Sequence, residues 1–134
     1  MAEQRPFDDR DGWIWMDGKL VPWRDAQIHV LSHALHYASS VFEGQRAYNG
    51  EIFRLRDHSE RLHKSARIMG FEIPWSVDQL NEACIDVLKA NNLVEIEHIA
   101  DVSARLVVNR AALKTDPEGV GIWVERIREA VDAF

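Results

Sequence analysis

The chain has 134 residues, of which 46% are hydrophobic and 28% are charged. This length and composition fit one globular domain with a single modest core. Twenty-two acidic and 16 basic residues give a formal net charge of -6. Such a chain offers no basic surface for a phosphate backbone, so nucleic-acid binding is not expected. No apolar run approaches the roughly 18 residues needed to cross a bilayer, so a membrane partner is not expected either.

The single cysteine, Cys84, lies in an apolar helical pattern and has no partner for an internal disulfide. We therefore expect a buried thiol and a reducing, cytoplasmic location. Residues 1–11 are polar, acidic and without periodicity. They are expected to form a flexible leader.

The first predicted elements are two short strands. Asp17-Gly18, a strong hairpin signal, joins residues 13–16 to residues 20–23. Three tryptophans occur within eleven residues here. They are expected to pack on a face of the hairpin, because large aromatic side chains contribute most when they are buried.

Residues 32–48, SHALHYASSVFEGQRAY, form a polar and aromatic stretch. Ser32 is a suitable N-cap for a helix of about two turns over residues 33–40. Gly44 follows Phe42 and permits a close approach of another molecule to the backbone. We interpret this stretch as the wall of a small-molecule site.

Two helices are predicted next. Asp57 with Glu60 forms a capping-box pattern, and Gly70 stands where a C-terminal cap would. Ser76 with Gln79 repeats the start signal for the second helix. The residues expected on the two buried faces are Leu62, Ala66, Ile68 and Met69, and then Leu80, Ala83, Cys84, Val87 and Leu88.

Asn49-Gly50 predicts a second hairpin, with strands at residues 45–48 and 51–55. Nearer the C-terminus, residues 99–108 alternate in part and favour a strand, whereas a helix is predicted after Pro117. The apolar side of that helix would carry Val120, Val124, Ile127, Val131 and Phe134. Together these elements predict one α+β domain.

The histidines raise the question of a metal site. His33 and His36 would lie near each other at i, i+3 of a helix, and Glu43 or His63 could supply further ligands. No HExxH motif or cysteine-rich spacing supports such a site, so hydrogen-bonded packing is favoured and no metal is predicted. The G-x-G-x-x-G, P-loop and G-x-S-x-G motifs are absent as well.

Arg61 has two interpretations from spacing alone. It lies in the second turn of the helix predicted to begin at Asp57, where a guanidinium can form a forked pair with a phosphate. An i, i+4 pair with Asp57 on a solvated face is the more common arrangement. Arg46 leaves the same two interpretations open.

Several motifs in order resemble one enzyme family. They are WMDGK at residues 15–19, IHVLSHALHY at 28–37, SVFEG at 40–44, and FRL at 53–55 with His58 and Arg61-Leu62. Over about residues 12–93 the chain closely resembles the N-terminal small domain of branched-chain amino-acid aminotransferases. The SHALHY and VFEG forms distinguish it from the related D-amino-acid aminotransferases and aminodeoxychorismate lyases. The resemblance implies a fold-type IV domain of antiparallel hairpins packed with two to three helices.

The resemblance also implies roles for individual residues. Arg61 would bind the phosphate of pyridoxal 5'-phosphate in the complete enzyme, whereas stable binding of the cofactor by this chain alone is not expected. Phe42 and Gly44 would line the pocket for an aliphatic side chain, and Tyr37 would join that wall, often in the neighbouring subunit. Arg46 would lie near the substrate carboxylate. The implied substrates are a branched-chain amino acid and a 2-oxo acid such as 2-oxoglutarate, and a homo-oligomer is expected when a large domain completes the chain.

The family's chemistry uses a Schiff-base lysine in a second, larger domain. None of the four lysines here matches it; they are Lys19, Lys64, Lys89 and Lys114. Two hypotheses follow. The chain is part of a transaminase that needs a large domain, or it is a non-catalytic, truncated or repurposed module for folding or dimerisation. Residues 94–134 form a divergent tail, in which Arg105 is a poor match for the arginine of a family strand.

Overall fold

The structure is a computed structural model that describes residues 6, 8–48, 50–93, 102–109 and 120–126. Predictions for residues 1–5, 7, 49, 94–101, 110–119 and 127–134 therefore lie outside the described residues. Within them, no helix is long and apolar enough to cross a bilayer.

The described strands form one antiparallel sheet. They are β1 (Trp13–Met16), β2 (Lys19–Pro22), β3 (Ser40–Tyr48), β4 (Glu51–Ile52), β5 (Val102–Asn109) and β6 (Val120–Arg126). Their order across the sheet is β2-β1-β6-β5-β3-β4. The helices in the same part of the chain are α1 (His33–Tyr37), α2 (Leu55–Ile68) and α3 (Val77–Ala90). The predicted α+β fold is confirmed.

The β1–β2 hairpin forms where it is predicted. Asp17 and Gly18 adopt φ values of +50° and +90°, the left-handed conformations that a tight hairpin turn requires. Trp15 is buried and packs edge-on against Trp75, with ring centroids 5.1 Å apart. Trp23 is buried too but lies in the 3-10 helix after β2, and Trp13 is 42% exposed, so of the three tryptophans Trp15 is the one that packs as predicted.

The leader ends in contact with the short 3-10 helix that follows β2. Arg24 pairs with Asp9 at 2.7 Å and with Asp11 at 2.8 Å. All three side chains are exposed, so these pairs contribute little to stability. In the structure they connect the end of the predicted leader to this short helix.

α1 is shorter than predicted. It ends at Tyr37 because Ala38 adopts a left-handed conformation with φ +50°, and Ser40 already begins β3. Ser32 occupies the N-cap position, but its side chain makes no capping hydrogen bond. The prediction of a two-turn helix over residues 33–40 was wrong in its length.

β3 is a nine-residue strand whose side chains alternate between two environments. Its buried side chains face the helices and its exposed ones face away, as the period of two in a strand requires. The buried set is Val41, Glu43, Gln45 and Ala47, and the exposed set is Phe42, Gly44, Arg46 and Tyr48. β4 is only two residues long, so the second predicted strand, residues 51–55, was too long.

α2 begins at Leu55 and not at Asp57. Arg54 is its N-cap, in a left-handed conformation, and no side chain caps the helix. Asp57 pairs with Arg54 at 2.5 Å instead of forming the predicted capping box. The Asp57 carboxylate still lies in the first turn, where its negative charge interacts favourably with the positive end of the helix dipole.

The predicted buried face of α2 is confirmed in the middle of the helix, and the prediction is wrong at the C-terminal end. Leu62 and Ala66 are fully buried. Ile68 is 76% exposed and Met69 is also exposed, because the helix ends at Ile68 and the chain turns through Gly70 at φ +79°.

α3 follows its sequence signals closely. Ser76 accepts a hydrogen bond from the Gln79 backbone N–H, and the Gln79 side chain accepts one from the Ser76 N–H. All five predicted core residues of this helix are buried. Its end is joined to β1 by Asn91, which accepts from the Trp13 N–H at 2.9 Å and donates to the Trp13 carbonyl at 3.0 Å.

The last two strands complete the sheet between β1 and β3. β5 confirms the predicted strand over residues 102–108 and pairs with β3 from Ser40 to Ala47. β6 contradicts the predicted helix: residues 120–126 form a strand that pairs with β5 and β1. Apolar residues four apart fit one face of either element, so the spacing alone could not decide.

Candidate functional site

A buried carboxylate on β3 connects the sheet to α2. Glu43 is only 5% exposed. Its Oε1 accepts a hydrogen bond from Arg61 Nε at 2.6 Å, and its Oε2 accepts one from Arg61 Nη2 at 2.5 Å. His58 Nδ1 lies 2.8 Å from the same Oε2. Both carboxylate oxygens are thus held by charge-assisted bonds.

These contacts set the charge of the cluster. Burial alone would raise the pKa of Glu43, but the hydrogen bonds from Arg61 and then from His58 outweigh it and lower that pKa below its usual 4.5. The same bond to Glu43 raises the pKa of Arg61. At neutral pH the pair is therefore an ionised carboxylate with a guanidinium.

The geometry also fixes which nitrogen of His58 carries a proton. An unprotonated Nδ1 would place two acceptors 2.8 Å apart, which is unfavourable, so Nδ1–H donates to Glu43. Nδ1 is also 3.3 Å from Arg61 Nη2, but both groups are then donors and this contact is no bond. His58 therefore holds the carboxylate and does not hold the guanidinium.

Arg61 is engaged along one edge only. A guanidinium has a side edge, Nε with Nη2, and an end edge, Nη1 with Nη2, and each can form a forked pair with an oxyanion. Glu43 occupies the side edge. The side chain is 63% exposed, so the end edge is open to an anion. The alternative pair with Asp57 was wrong, because Asp57 bonds Arg54 and Arg61 bonds Glu43.

Three predicted substrate-binding residues share the exposed face of β3. Phe42 is 69% exposed, and Gly44 and Arg46 are exposed beside it at the alternate positions. A Cβ built on Gly44 would meet nothing within 4 Å, and its backbone is not left-handed. The packing of the described residues thus gives no reason for a glycine at this position.

Tyr37 lies apart from that face, at the end of α1. It is 72% exposed, and its ring makes a T-shaped contact with His33 at 5.4 Å. Every residue of α1 is at least partly exposed. The segment before it, residues 28–31, presents exposed apolar side chains as well.

The phosphate candidate and the substrate wall lie on opposite sides of β3. Arg61 reaches Glu43 on the helix side, whereas Phe42 and Gly44 face the other way. β4 pairs with β3 only at Ala47 and Tyr48. On the same edge the Phe53 N–H donates to the Arg46 carbonyl at 2.9 Å. Arg105, the weak match to a family strand, lies opposite Gly44 in the β3–β5 register.

None of the described lysines lies in a buried site, and the cysteine is held as a thiol. Lys19, Lys64 and Lys89 are all exposed, and Lys114 lies outside the described residues. Burial raises the pKa of Cys84 to about 12, so its thiol stays protonated at neutral pH.

The histidines named as metal candidates have other contacts. His36 Nε2 lies 2.7 Å from the Val30 carbonyl, and the His33 ring contacts that of Tyr37. Burial, with Arg67 nearby, lowers the pKa of His63. In the part of the chain that the structure describes, no three His, Cys, Asp or Glu side chains come together as metal ligands would.

Sequence reasoning missed the joint role of Glu43 and His58. From the sequence, Glu43 is considered only as a metal ligand, although a carboxylate at a buried position of a strand needs cationic partners. His58 and Arg61 stand at i, i+3 on one helix face. This spacing of two donors on one helix face is the sequence signal that could have indicated a shared carboxylate partner.

The comparisons with known proteins agree on one family. The family model for amino-transferase class IV matches residues 40–128, well over half of the chain. The chain belongs to this family. The match reaches beyond residue 93, where the resemblance inferred from the sequence ends.

The similar curated proteins are branched-chain-amino-acid aminotransferases. The one from Escherichia coli K12 is 41% identical over 138 aligned positions, covering 91% of this chain and 44% of the relative. The one from Pseudomonas aeruginosa is 55% identical over 89 positions, covering 63% of this chain and 29% of the relative. The chain therefore spans less than half the length of these relatives and corresponds to a partial, N-terminal segment of them.

Solved structures give the same result for the fold. The Escherichia coli branched-chain amino acid aminotransferase superposes with a TM-score of 0.71 at 38% identity, over 87% of this chain and 41% of that one. The T.th. enzyme complexed with N-(5'-phosphopyridoxyl)-L-glutamate gives 0.74 at 34% identity, over 87% and 42%. The predicted resemblance to branched-chain aminotransferases, and the small-domain fold that it implied, are confirmed.

Proposed function

We propose that this chain is the small-domain part of a branched-chain amino-acid transaminase, which moves an amino group between Leu, Ile or Val and 2-oxoglutarate. The observation that carries the proposal is the Arg61 guanidinium, fixed on one edge by Glu43 and open on the other. In this proposal the chain works only together with a lysine-bearing domain, because none of its four lysines matches the family's Schiff-base lysine.

Arg61 would hold the phosphate of pyridoxal 5'-phosphate. A forked guanidinium edge matches two oxygens of a phosphate, and the permanent charge of arginine suits a dianion. When bound, the cofactor supplies an electron-withdrawing ring that stabilises negative charge at the substrate α-carbon. The bound group in the T.th. relative is a phosphopyridoxyl compound, which supports the proposal for this chain.

The exposed face of β3 would form one wall of the substrate pocket. Phe42 offers a large apolar surface, and burial of an aliphatic side chain against it is favourable by about 25 cal/mol per Å². Gly44 leaves room beside it. Arg46, at the next alternate position, would lie near the substrate carboxylate.

Tyr37 would complete the wall from a neighbouring subunit. Its ring is exposed, and the apolar side chains before it are exposed too, which suits a surface that a second copy covers. A homo-oligomer completed by the large domain is therefore part of the proposal. A cytoplasmic location fits a lone, buried thiol.

A hybrid enzyme tests this function. Residues 12–93 would replace the corresponding segment of the Escherichia coli enzyme, and amino transfer from Leu, Ile and Val to 2-oxoglutarate would be measured. We expect activity within about tenfold of the parent, since the proposed binding residues of the site are retained. A correctly folded hybrid that binds cofactor but transfers no amino group would contradict the proposal.

The second candidate is a non-catalytic module, favoured by the exposed lysines and by the small share of the relatives that the chain spans. The chain alone would be mixed with pyridoxal phosphate, reduced with borohydride and weighed by mass spectrometry. We expect no stoichiometric adduct, because none of the four lysines matches the family's Schiff-base lysine and the described ones lie on the open surface. A single stoichiometric adduct on one lysine would show that the chain carries its own nucleophile.

A further inference from the structure

Glu43 and His58 have no task in the function proposed above, although they form the most buried ionic cluster among the described side chains. We propose that Glu43 is a positioning residue for anion binding: it holds Arg61 so that the end edge of the guanidinium faces a phosphate. His58 in turn holds Glu43. This inference rests on the proposed function, because it assumes that Arg61 binds a phosphate group.

The first argument is the choice of edge. A free arginine can present either edge to an anion and can rotate about four side-chain bonds, so it is not oriented before binding. Glu43 takes the side edge with two bonds, of 2.6 and 2.5 Å. Only the end edge then remains for a second anion, and its direction is fixed by the carboxylate.

The second argument is that Glu43 is itself immobile. It projects from the middle of β3, is 5% exposed, and receives a third hydrogen bond from His58. His58 and Arg61 come from α2, so the cluster ties the helix to the strand. The guanidinium is therefore fixed relative to the sheet that carries Phe42 and Gly44 on its other face.

The two ion pairs of Arg56, on the same helix as Arg61, show an ordinary surface arrangement for comparison. Arg56 donates to Glu60 at 3.0 Å and to Asp78 at 2.7 Å. All three of those side chains are more than half exposed. Each bond there is single, and no buried carboxylate fixes the guanidinium. Glu60 thus provides a matched control on the same helix.

A positioning role and a simple charge effect of Glu43 predict opposite changes in phosphate affinity when Glu43 is removed. If Glu43 acted only as a charge, its removal would strengthen phosphate binding, because a negative group next to Arg61 would be lost. If Glu43 positions Arg61, its removal weakens binding, because the guanidinium must be ordered by the ligand itself. The direction of the change therefore decides between the two.

The test is a titration of the ¹⁵N-labelled full chain with inorganic phosphate at constant ionic strength, following the Arg61 Nε–H signal by NMR. In the unmodified chain we expect a slowly exchanging Nε–H that shifts with phosphate. Glu43→Gln should lose this slow exchange and bind phosphate about tenfold more weakly, the lower end of what outer-shell residues contribute at metal sites. Glu60→Gln should change neither the exchange of the Arg61 Nε–H nor the affinity for phosphate.

Two His58 variants keep the test decisive if Glu43→Gln does not fold. His58→Asn retains a donor at the Nδ1 position, whereas His58→Leu removes it. We expect weaker phosphate binding in His58→Leu and recovery in His58→Asn. Equal affinities in these two variants, or phosphate binding by Glu43→Gln as tight as in the unmodified chain or tighter, would overturn the positioning role.

Arg61→Ala separates this inference from the function on which it rests. If phosphate shifts the Arg61 signal but Arg61→Ala binds phosphate as the unmodified chain does, the phosphate role of Arg61 is wrong and both proposals fall. If phosphate does not shift the Arg61 signal at all, the positioning role is wrong, whereas the proposed function stands, because it assigns cofactor binding to the chain together with a large domain. If Arg61→Ala loses binding while Glu43→Gln keeps it, only the positioning role is wrong.

Discussion

At the scale of single residues, the decisive feature is a carboxylate that is buried and yet ionised. Burial alone disfavours the charge on Glu43. The ionised carboxylate is stable at this position because Arg61 and His58 donate hydrogen bonds to it. The cation Arg61 lies at the surface, so its positive charge is shared between the buried partner and whatever anion approaches from outside. Removing either partner has consequences for both folding and binding.

Glu43→Gln is expected to lower the free energy of unfolding by about 2 kcal/mol at pH 7, because a charge-assisted pair is lost. The folded pKa of Glu43 is lowered, so its contribution is present above the usual value of 4.5 and is lost as the pH falls through the folded pKa. Urea unfolding from pH 7 to pH 3 should therefore show the two proteins converging below pH 4.5. A difference that stays constant over that range would contradict the ionised state of Glu43.

At the scale of elements, the two longer helices begin in different ways. α3 starts with a reciprocal capping box, whereas α2 starts after a left-handed Arg54 and has no side-chain cap. Ser76 with Gln79 could be predicted because both halves of the motif are local. The start of α2 could not, because a single Arg54–Asp57 ion pair replaces the capping bond that the spacing of Asp57 and Glu60 suggests.

Ser76→Ala is expected to cost about 1 kcal/mol of unfolding free energy, the usual contribution of an N-cap hydrogen bond. Ser32→Ala is the matched control, since Ser32 stands at the N-cap of α1 without a capping bond. It should change stability by less than about 0.5 kcal/mol. Urea denaturation measures both variants, and equal losses in the two would contradict the assignment of the capping box.

β3 carries the second element-scale prediction. Gly44→Ala should not destabilise the chain, because the position is open and its backbone suits any residue. Gly18→Ala, at φ +90°, should cost about 1 kcal/mol through strain. In the hybrid enzyme Gly44→Ala should raise KM for leucine by narrowing the pocket. An unchanged KM would remove Gly44 from the substrate wall.

At the scale of the whole molecule, the family and the α+β class were readable from the sequence because ordered motifs and turn signals are local. β6 was not, since Val120 and Val124 fit one face of a helix as well as of a strand, and only pairing with β1 and β5 decides. The Glu43 cluster was missed for a similar reason. Glu43 and Arg61 are 18 residues apart and meet only because α2 folds back on β3.

The central claim is that Arg61 binds the cofactor phosphate. The most direct measurement is the dissociation constant of pyridoxal phosphate in the hybrid enzyme, for Arg61→Ala beside Arg56→Ala on the same helix. Loss of a charge-assisted phosphate pair worth about 1.5–3 kcal/mol predicts a constant raised by at least about tenfold in Arg61→Ala and unchanged in Arg56→Ala. A constant that is the same in both variants would contradict the account.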